Sequence, residues 1–179
     1  MKKVILYIAM SLNGKIARKN GSVDWLESLP NPEKTDYGYN DFVKTIDTTI
    51  MGNSTYQQLM SWGIEFPYDG KKNYVFTKNT TLENTEYVDF VSKNHIDFVC
   101  KLKQQEGNDI WLIGGGKINT FLFNANLIDE IRIFIMPVVI PDGINLFESA
   151  PIEKILMPPK IKSYSSGAVE LIYELNVEN

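Results

Sequence analysis

Apolar, β-rich runs alternate with segments of helical spacing through the first two thirds of this chain. Val4 to Met10 is a continuous apolar run that ends at the turn Ser11-Leu12-Asn13-Gly14. Tyr39, Phe42, Val43 and Ile46 then recur at helical spacing, and a short β-branched stretch follows from Thr48 to Met51. Gly52 punctuates, and Ser54 or Thr55 is a candidate cap for a helix running through Trp62. Further strands are predicted at Asn73–Thr77, Glu86–Val91 and Asp109–Ile113, with helices at Ile96–Gln105 and Lys117–Asn124. Such alternation implies a parallel sheet covered by helices. After it, Ile128–Ile140 is one long β-rich run, and Ile161–Ser165 with Val169–Leu175 reads as a hairpin around Ser166-Gly167. The expectation is an α/β fold in a single domain, residues 1–179: a central, mixed, mostly parallel sheet flanked by helices, with a C-terminal antiparallel hairpin.

Composition narrows the function classes. With 179 residues, the chain can bury roughly 70% of its unfolded surface and needs neither disulfide nor metal to fold. It carries 18 basic against 22 acidic residues, net −4, and no densely basic stretch. A nucleic-acid partner would call for a basic face, so none is expected. Cys100 is the sole cysteine, which fits a reducing cytoplasm. The opening MKKVILYIAM is too short an apolar run for a leader and is followed by charges. No segment approaches the ~20 apolar residues of a membrane span. A cytoplasmic protein is expected.

The stretch WLIGGGKINTFLF, from Trp111 to Phe123, sets three glycines between an apolar run and a helical segment. A second glycine-marked turn of the same kind lies in IMGNSTYQQL, Ile50 to Leu59. Either could be a tight connection. Either could also let an anion reach the unpaired N–H groups of a helix start. Two such turns would suit a pyrophosphate, and so a dinucleotide. The GxGxxG fingerprint is missing, as is the P-loop pattern, so neither standard nucleotide fold is indicated. His95, the sole histidine, sits at a predicted helix start, where capping or solvation is the expected role. Histidine and cysteine are too few for a zinc site, and no metal is expected.

Five segments, in order along nearly the whole chain, resemble the dihydrofolate reductase superfamily. The nearest group is the reductase domain of the bifunctional riboflavin-pathway deaminase–reductase (the RibD C-terminal domain group). Ile8 to Ala17 resembles the "SLDGKIA" opening, and Asp47 to Tyr56 resembles "DTILMGRKTY". Val75-Phe76-Thr77-Lys78 resembles the strand end that meets an adenosine 2′-phosphate. Ile113 to Phe121 resembles the "IGGG" strand, turn and helix, and Pro137 to Phe147 resembles "PVVLGDGxxLF". The resemblance implies a three-layer dihydrofolate reductase-like fold and NADPH as hydride donor. It places Ala9 and Ile16 at the nicotinamide, with Gly52, Asn53, Ser54 and Thr55 at the pyrophosphate. Thr77 and Lys78 would meet the 2′-phosphate, and Ile113, Gly114, Gly115, Gly116, Lys117 and Ile118 would form the opposite wall. It also implies a cis Gly114–Gly115 peptide and a homodimer. The reaction implied is that of the reductase half alone: reduction of a small heterocyclic, imine or carbonyl substrate, as in 5-amino-6-(5-phosphoribosylamino)uracil reduction. Dihydrofolate reduction and a non-catalytic NADPH-binding module are the alternatives.

The chain departs from the pattern in three places. Asn53 stands where arginine is usual; losing a hydrogen bond to a charged group, ~1.5–3 kcal/mol, would weaken discrimination between NADPH and NADH. Lys78 is the available replacement. Asn13 stands where aspartate is usual, either touching substrate or shaping the turn. The carboxylate expected on the helix before IMG has no clear equivalent, leaving Asp36 and Asp41 as candidates on the substrate side. Trp25 is either a packing residue or part of a lid over the pocket. A phosphorylated substrate would need a basic pocket, and the loop at 18–38 offers Arg18, Lys19 and Lys34.

Overall fold

The computed structural model describes residues 1–175. The alternation resolves into strands β1 (Val4–Ser11), β3 (Ile46–Gly52), β4 (Lys72–Phe76), β5 (Asp89–Val91), β6 (Asp109–Gly114) and β7 (Glu130–Met136). Between them lie helices α1 (Tyr39–Lys44), α2 (Asn53–Ser61), α3 (His95–Lys103) and α4 (Gly116–Asn124). Two short strands, β2 (Lys15–Ala17) and β8 (Ile144–Asn145), pair only with each other, and β9 (Lys160–Ser163) and β10 (Val169–Glu174) form the late hairpin. The main sheet runs β5-β4-β3-β6-β1-β7-β10-β9. It is parallel from β5 to β7, then antiparallel through β10 and β9. This is the mixed, mostly parallel sheet with a terminal hairpin that the sequence predicts.

Strand alternation builds the three layers. Val4 and Leu6 of β1 pack with Val99 and Leu102 of α3 and with Leu122 of α4. Ile5 and Tyr7 point the other way, toward Phe42 of α1 and Trp25. Met51 and Val75 share that second side with Leu59 of α2. Burying each large aliphatic side chain contributes ~1.5–3 kcal/mol. The outer edge strand β9 is exposed along its length and carries Lys160 and Lys162, charges that blunt a free sheet edge. Among the described residues, no helix is long and apolar enough to cross a membrane.

Three predicted boundaries move for local reasons. The helix predicted over Tyr39–Ile46 stops at Lys44, where the Thr45 hydroxyl and N–H both donate to the Phe42 carbonyl. Ile46 then enters the core from β3. The run Ile128–Ile140 ends as a strand at Met136, because Pro137 has no N–H for the ladder. Neither Ser54 nor Thr55 caps α2; the cap position is Gly52, which offers no side chain.

Candidate functional site

β3 and β6 are neighbours in the sheet, with Met51 opposite Gly114. Each runs directly into a helix, β3 into α2 and β6 into α4, so two helix N-termini stand side by side. The cap positions, Gly52 and Gly115, make no side-chain cap bonds. Unpaired N–H groups and the helix dipoles give this edge a positive potential. The Thr55 hydroxyl ties the two turns together: it donates to the Gly114 carbonyl at 3.2 Å and accepts from the Gly115 N–H at 3.1 Å. The Gly114–Gly115 peptide is cis, as the resemblance implies.

The three glycines are glycine for different reasons. Gly114 has φ = 114°, a conformation L-residues rarely adopt. A β-carbon on Gly116 would overlap the Asn145 carbonyl oxygen and come within 2.7 Å of Glu148 Cγ. Gly115 has an ordinary φ of −64°, and its β-carbon would rest 3.5 Å from Thr55 Oγ1. The folded chain therefore tolerates a side chain at 115. Gly52 is similar: its β-carbon would meet Ile118 Cγ2 at 3.8 Å and the Gly114 oxygen at 3.9 Å. At both positions a β-carbon would make only ordinary contacts, so bare backbone stands at the two helix starts, the surface an anion can approach closely.

Around this edge lie the other residues singled out in the sequence. Ile113 and Asn53 are half-buried, Ile118 is buried, and Ser54 is exposed. Thr77 is buried, its N–H bound to the Val91 carbonyl and its hydroxyl accepting from the Asn79 N–H. Lys78 and Lys117 are exposed and form no ion pair among the described residues. The structure adds an aromatic cluster that sequence reasoning missed. Phe76 packs on His95 at 4.5 Å, and His95 meets Phe121 edge-on at 6.0 Å. His95 is not a solvated cap, since its Nε2 bonds the Val91 carbonyl at 2.8 Å. Only its spacing from Val91, four residues, hinted at that contact.

A cavity of about 260 Å³ opens at Ala9, walled by Tyr7, Tyr37, Tyr39 and Phe134 with Leu26, Leu29, Asn31, Asp36 and Met136. The glycine turn abuts the same strand: Ile8 Cδ1 lies 3.4 Å from where a Gly114 β-carbon would be. Burial raises the Tyr39 hydroxyl above its ordinary pKa, and burial with the nearby Glu170 carboxylate does the same to Tyr7. Both phenols stay protonated at neutral pH and can donate. Ile16 lies on β2 and is buried in the core beneath α4. A second, shallower cleft of about 520 Å³ runs between the loop at 20–22 and α2, lined by Asn20, Ser22, Ser54, Gln57, Gln58, Ser61 and Trp62.

The four substrate-side candidates separate. Asp36 does line the Ala9 cavity, but its carboxylate accepts the N–H groups of Gly38 and Asn40. Asp41 points to solvent and pairs with Lys44, so it does not line the cavity. Trp25 is no lid: it is 2% exposed and packs in the α1 side of the core. Asn13 holds the loops together. Its Nδ2 donates to the Ile140 carbonyl at 2.8 Å while its Oδ1 accepts from the Ile140 N–H and the Ser11 hydroxyl. Changing Asn13 to aspartate would set a carboxylate oxygen against the Ile140 carbonyl. We expect Asn13→Asp to lower stability by about 1–3 kcal/mol in chemical denaturation, the cost of losing one partner of a partly buried pair; an unchanged midpoint would show the amide donor to be dispensable.

Two of the three loop cations are engaged as well. Arg18 pairs with Asp24 at 2.7 Å and Lys19 with Asp142 at 2.7 Å. Hydrogen bonds from Arg18 and Ser22 hold the Asp24 carboxyl down to about 2. Lys34 lines neither cavity. Among the described residues, no cluster of three or more His, Cys, Asp or Glu side chains could hold a metal ion.

Residues 66–170 match the RibD C-terminal domain family. Two Bacillus subtilis (strain 168) proteins, both uncharacterized, are similar over their whole length. YwjB is 38% identical over 96% of this chain and 97% of its own, and YyaP is 34% identical over 98% and 96%. A Shewanella sp. PV-4 protein provisionally assigned to riboflavin biosynthesis superposes with a TM-score of 0.85, at 29% identity, over 98% of this chain and 99% of its own. The deaminase/5-amino-6-(5-phosphoribosylamino)uracil reductase of Thermotoga maritima shares the fold at a TM-score of 0.69 and 17% identity, over 98% of this chain and 57% of its own. With its strand order, its paired helix starts and these relatives in agreement, the chain belongs to the RibD C-terminal domain family.

Proposed function

We propose that the protein is an NADPH-dependent reductase of a small heterocyclic, imine or carbonyl substrate. The observation that carries this is the pair Gly52 and Gly115, glycines that the fold itself does not require, set at two uncapped helix starts. The cofactor's diphosphate would take the N–H groups of both starts, with Thr55 holding the turns in register. Lys78 and Lys117 are the free cations for a further phosphate, which offsets the missing arginine at Asn53. The nicotinamide would lie between Ala9 and Gly114, at the mouth of the aromatic cavity. When bound, NADPH supplies a hydride to the electron-poor carbon of the substrate and leaves as NADP⁺, while a proton goes to the substrate nitrogen or oxygen.

The chain's own part is to align the ring and exclude water. The tyrosine and phenylalanine walls hold a flat ring, and the Tyr39 hydroxyl, with no hydrogen-bond partner among the described residues, is the free donor there. Asp36 is a poor general acid, because the N–H groups of Asn40 and Gly38 hold its carboxyl below the ordinary carboxylate range. A group whose pKa falls on folding adds stability above its unfolded pKa and loses it as pH drops through the folded value. Asp36→Asn should therefore destabilise the protein at neutral pH, with the gap from wild type closing in acid; a constant gap across thermal melts would rule this out. That commitment of Asp36 also disfavours dihydrofolate reduction, which wants a free acid facing the ring.

Differential scanning fluorimetry with NADPH and NADH tests the cofactor, and loss of reduced-nicotinamide absorbance with candidate imines and heterocycles tests turnover. A thermal shift with NADPH is expected, larger than with NADH. No shift with either nucleotide would sink the proposal, and binding without turnover would favour a non-catalytic module.

A further inference from the structure

The charges around the Ala9 cavity restrict what can enter it. Neither this cavity nor the cleft beside α2 is lined by lysine or arginine. The ionised group on the cavity wall is the Asp36 carboxylate, held charged by two backbone N–H groups. Behind the wall sits a second set of charges. Arg132 lies 5.9 Å from the Tyr7 ring and 2.7 Å from Glu130, and Glu170 accepts from the Tyr164 hydroxyl at 2.8 Å. Glu130 and Glu170 are both buried, and Lys162, the cross-strand partner of Glu170, lies 4.7 Å over the Tyr164 ring, outside the cavity lining. Arg132 is engaged by Glu130 at 2.7 Å and lies 3.9 Å from Glu170, and it does not line the cavity. Of the loop cations, Arg18 and Lys19 are paired with Asp24 and Asp142, and Lys34, though unpaired among the described residues, lines neither cavity.

A phosphate dianion loses strong hydration on entering a cleft and needs charge-assisted partners in return. Here it would meet amides, hydroxyls and a fixed carboxylate. A flat ring finds the opposite situation. Tyr7 and Phe134, 4.9 Å apart, and the T-shaped Tyr37–Phe134 pair offer π faces and edges, and Asp36 can accept an N–H from the ring periphery.

We propose that the substrate is a planar nitrogen heterocycle or imine that carries no phosphate or other negative charge. This rests on the reductase reading and departs from the phosphorylated pyrimidine named for the Thermotoga maritima relative.

The test uses the full chain saturated with NADP⁺, after NADPH binding has been established by thermal shift. Calorimetry compares 5-amino-6-(5-phosphoribosylamino)uracil with the same compound after phosphatase treatment. The dephosphorylated compound is expected to bind at least roughly tenfold tighter, since like charges placed close together cost affinity. Leu29→Arg, which adds a cation to the cavity wall, should reverse the order, and Asp36→Asn should narrow it. Equal or tighter binding of the phosphorylated compound by the wild-type protein overturns the proposal, as does binding of neither. A protein that shows no NADPH shift fails at the first step, which counts against the reductase reading itself.

Discussion

Gly116→Ala should unfold at a markedly lower temperature than the wild type, while Gly115→Ala should melt close to it. The added methyl at 116 runs into backbone, the Asn145 carbonyl, and into Glu148, whose own N–H bonds the Gly116 carbonyl at 3.2 Å. Backbone cannot rotate aside as a side-chain tip can, so the β8 loop must shift. Overpacking of this kind costs about 1–3 kcal/mol, and a backbone clash belongs at the upper end. Alanine's helix propensity returns up to about 1 kcal/mol at an interior position and less at the first turn, so the clash wins. For a protein of this size the net loss corresponds to a drop of several degrees, roughly 2–4 °C per kcal/mol. At 115 the methyl meets one hydroxyl at ordinary contact distance, and the stability change should stay within about 1 kcal/mol. Its effect should fall on NADPH, with affinity reduced roughly tenfold or more as the diphosphate is pushed off both helix starts. If Gly115→Ala lowered the melting temperature as far as Gly116→Ala and left NADPH binding intact, the glycine would be serving the fold and the cofactor proposal would lose its main support.

Trp25→Ala is expected to be the most damaging single truncation, costing about 3–5 kcal/mol in urea denaturation. The indole is almost fully buried among residues from β1, α1 and β7, and it backs Leu26, which lines the aromatic cavity. Phenylalanine at the same place should recover much of that loss. The indole Nε1 has no hydrogen-bond partner among the described residues, so removing it forfeits no bond and relieves a buried orphan donor. The contrast separates packing from gating. A residue that closes over a ligand would alter turnover in both variants and leave the unfolding midpoint nearly untouched.

The sheet and its two glycine-marked helix starts were legible in the sequence for one reason: both are written in local pattern. Val4 to Met10 and Asp109 to Ile113 declare themselves as buried strands, and IMGNSTY and IGGGKIN mark the two helix starts within ten residues each. What escaped depends on contacts distant in the chain. Asn13 meets Ile140 across 127 positions, and Thr55 reaches Gly115 across 60. Thr55 looks like a helix cap because its type and place fit one, yet its hydroxyl is taken by a neighbouring strand's turn. β2 and β8 have three and two residues and exist as strands only because each finds the other. Trp25 sits in a loop-like stretch, and nothing beside it tells that the stretch folds inward. The substrate side suffers most, because charge pairing decides it. Arg18 and Lys19 read as free cations until their aspartates are seen.

The hydroxyl of Thr55 has a consequence for the thermodynamics of recognition. By closing on the Gly114–Gly115 peptide from both sides, it removes the freedom of two turns when the chain folds, before any ligand arrives. On the proposed reading, a nucleotide would meet a shaped rim and give up little additional loop entropy on arrival. Its affinity reports the quality of the contacts, largely undiluted by the cost of organising them. Encounter should proceed without a slow rearrangement, so variants of the rim should differ in how long the nucleotide stays more than in how quickly it lands.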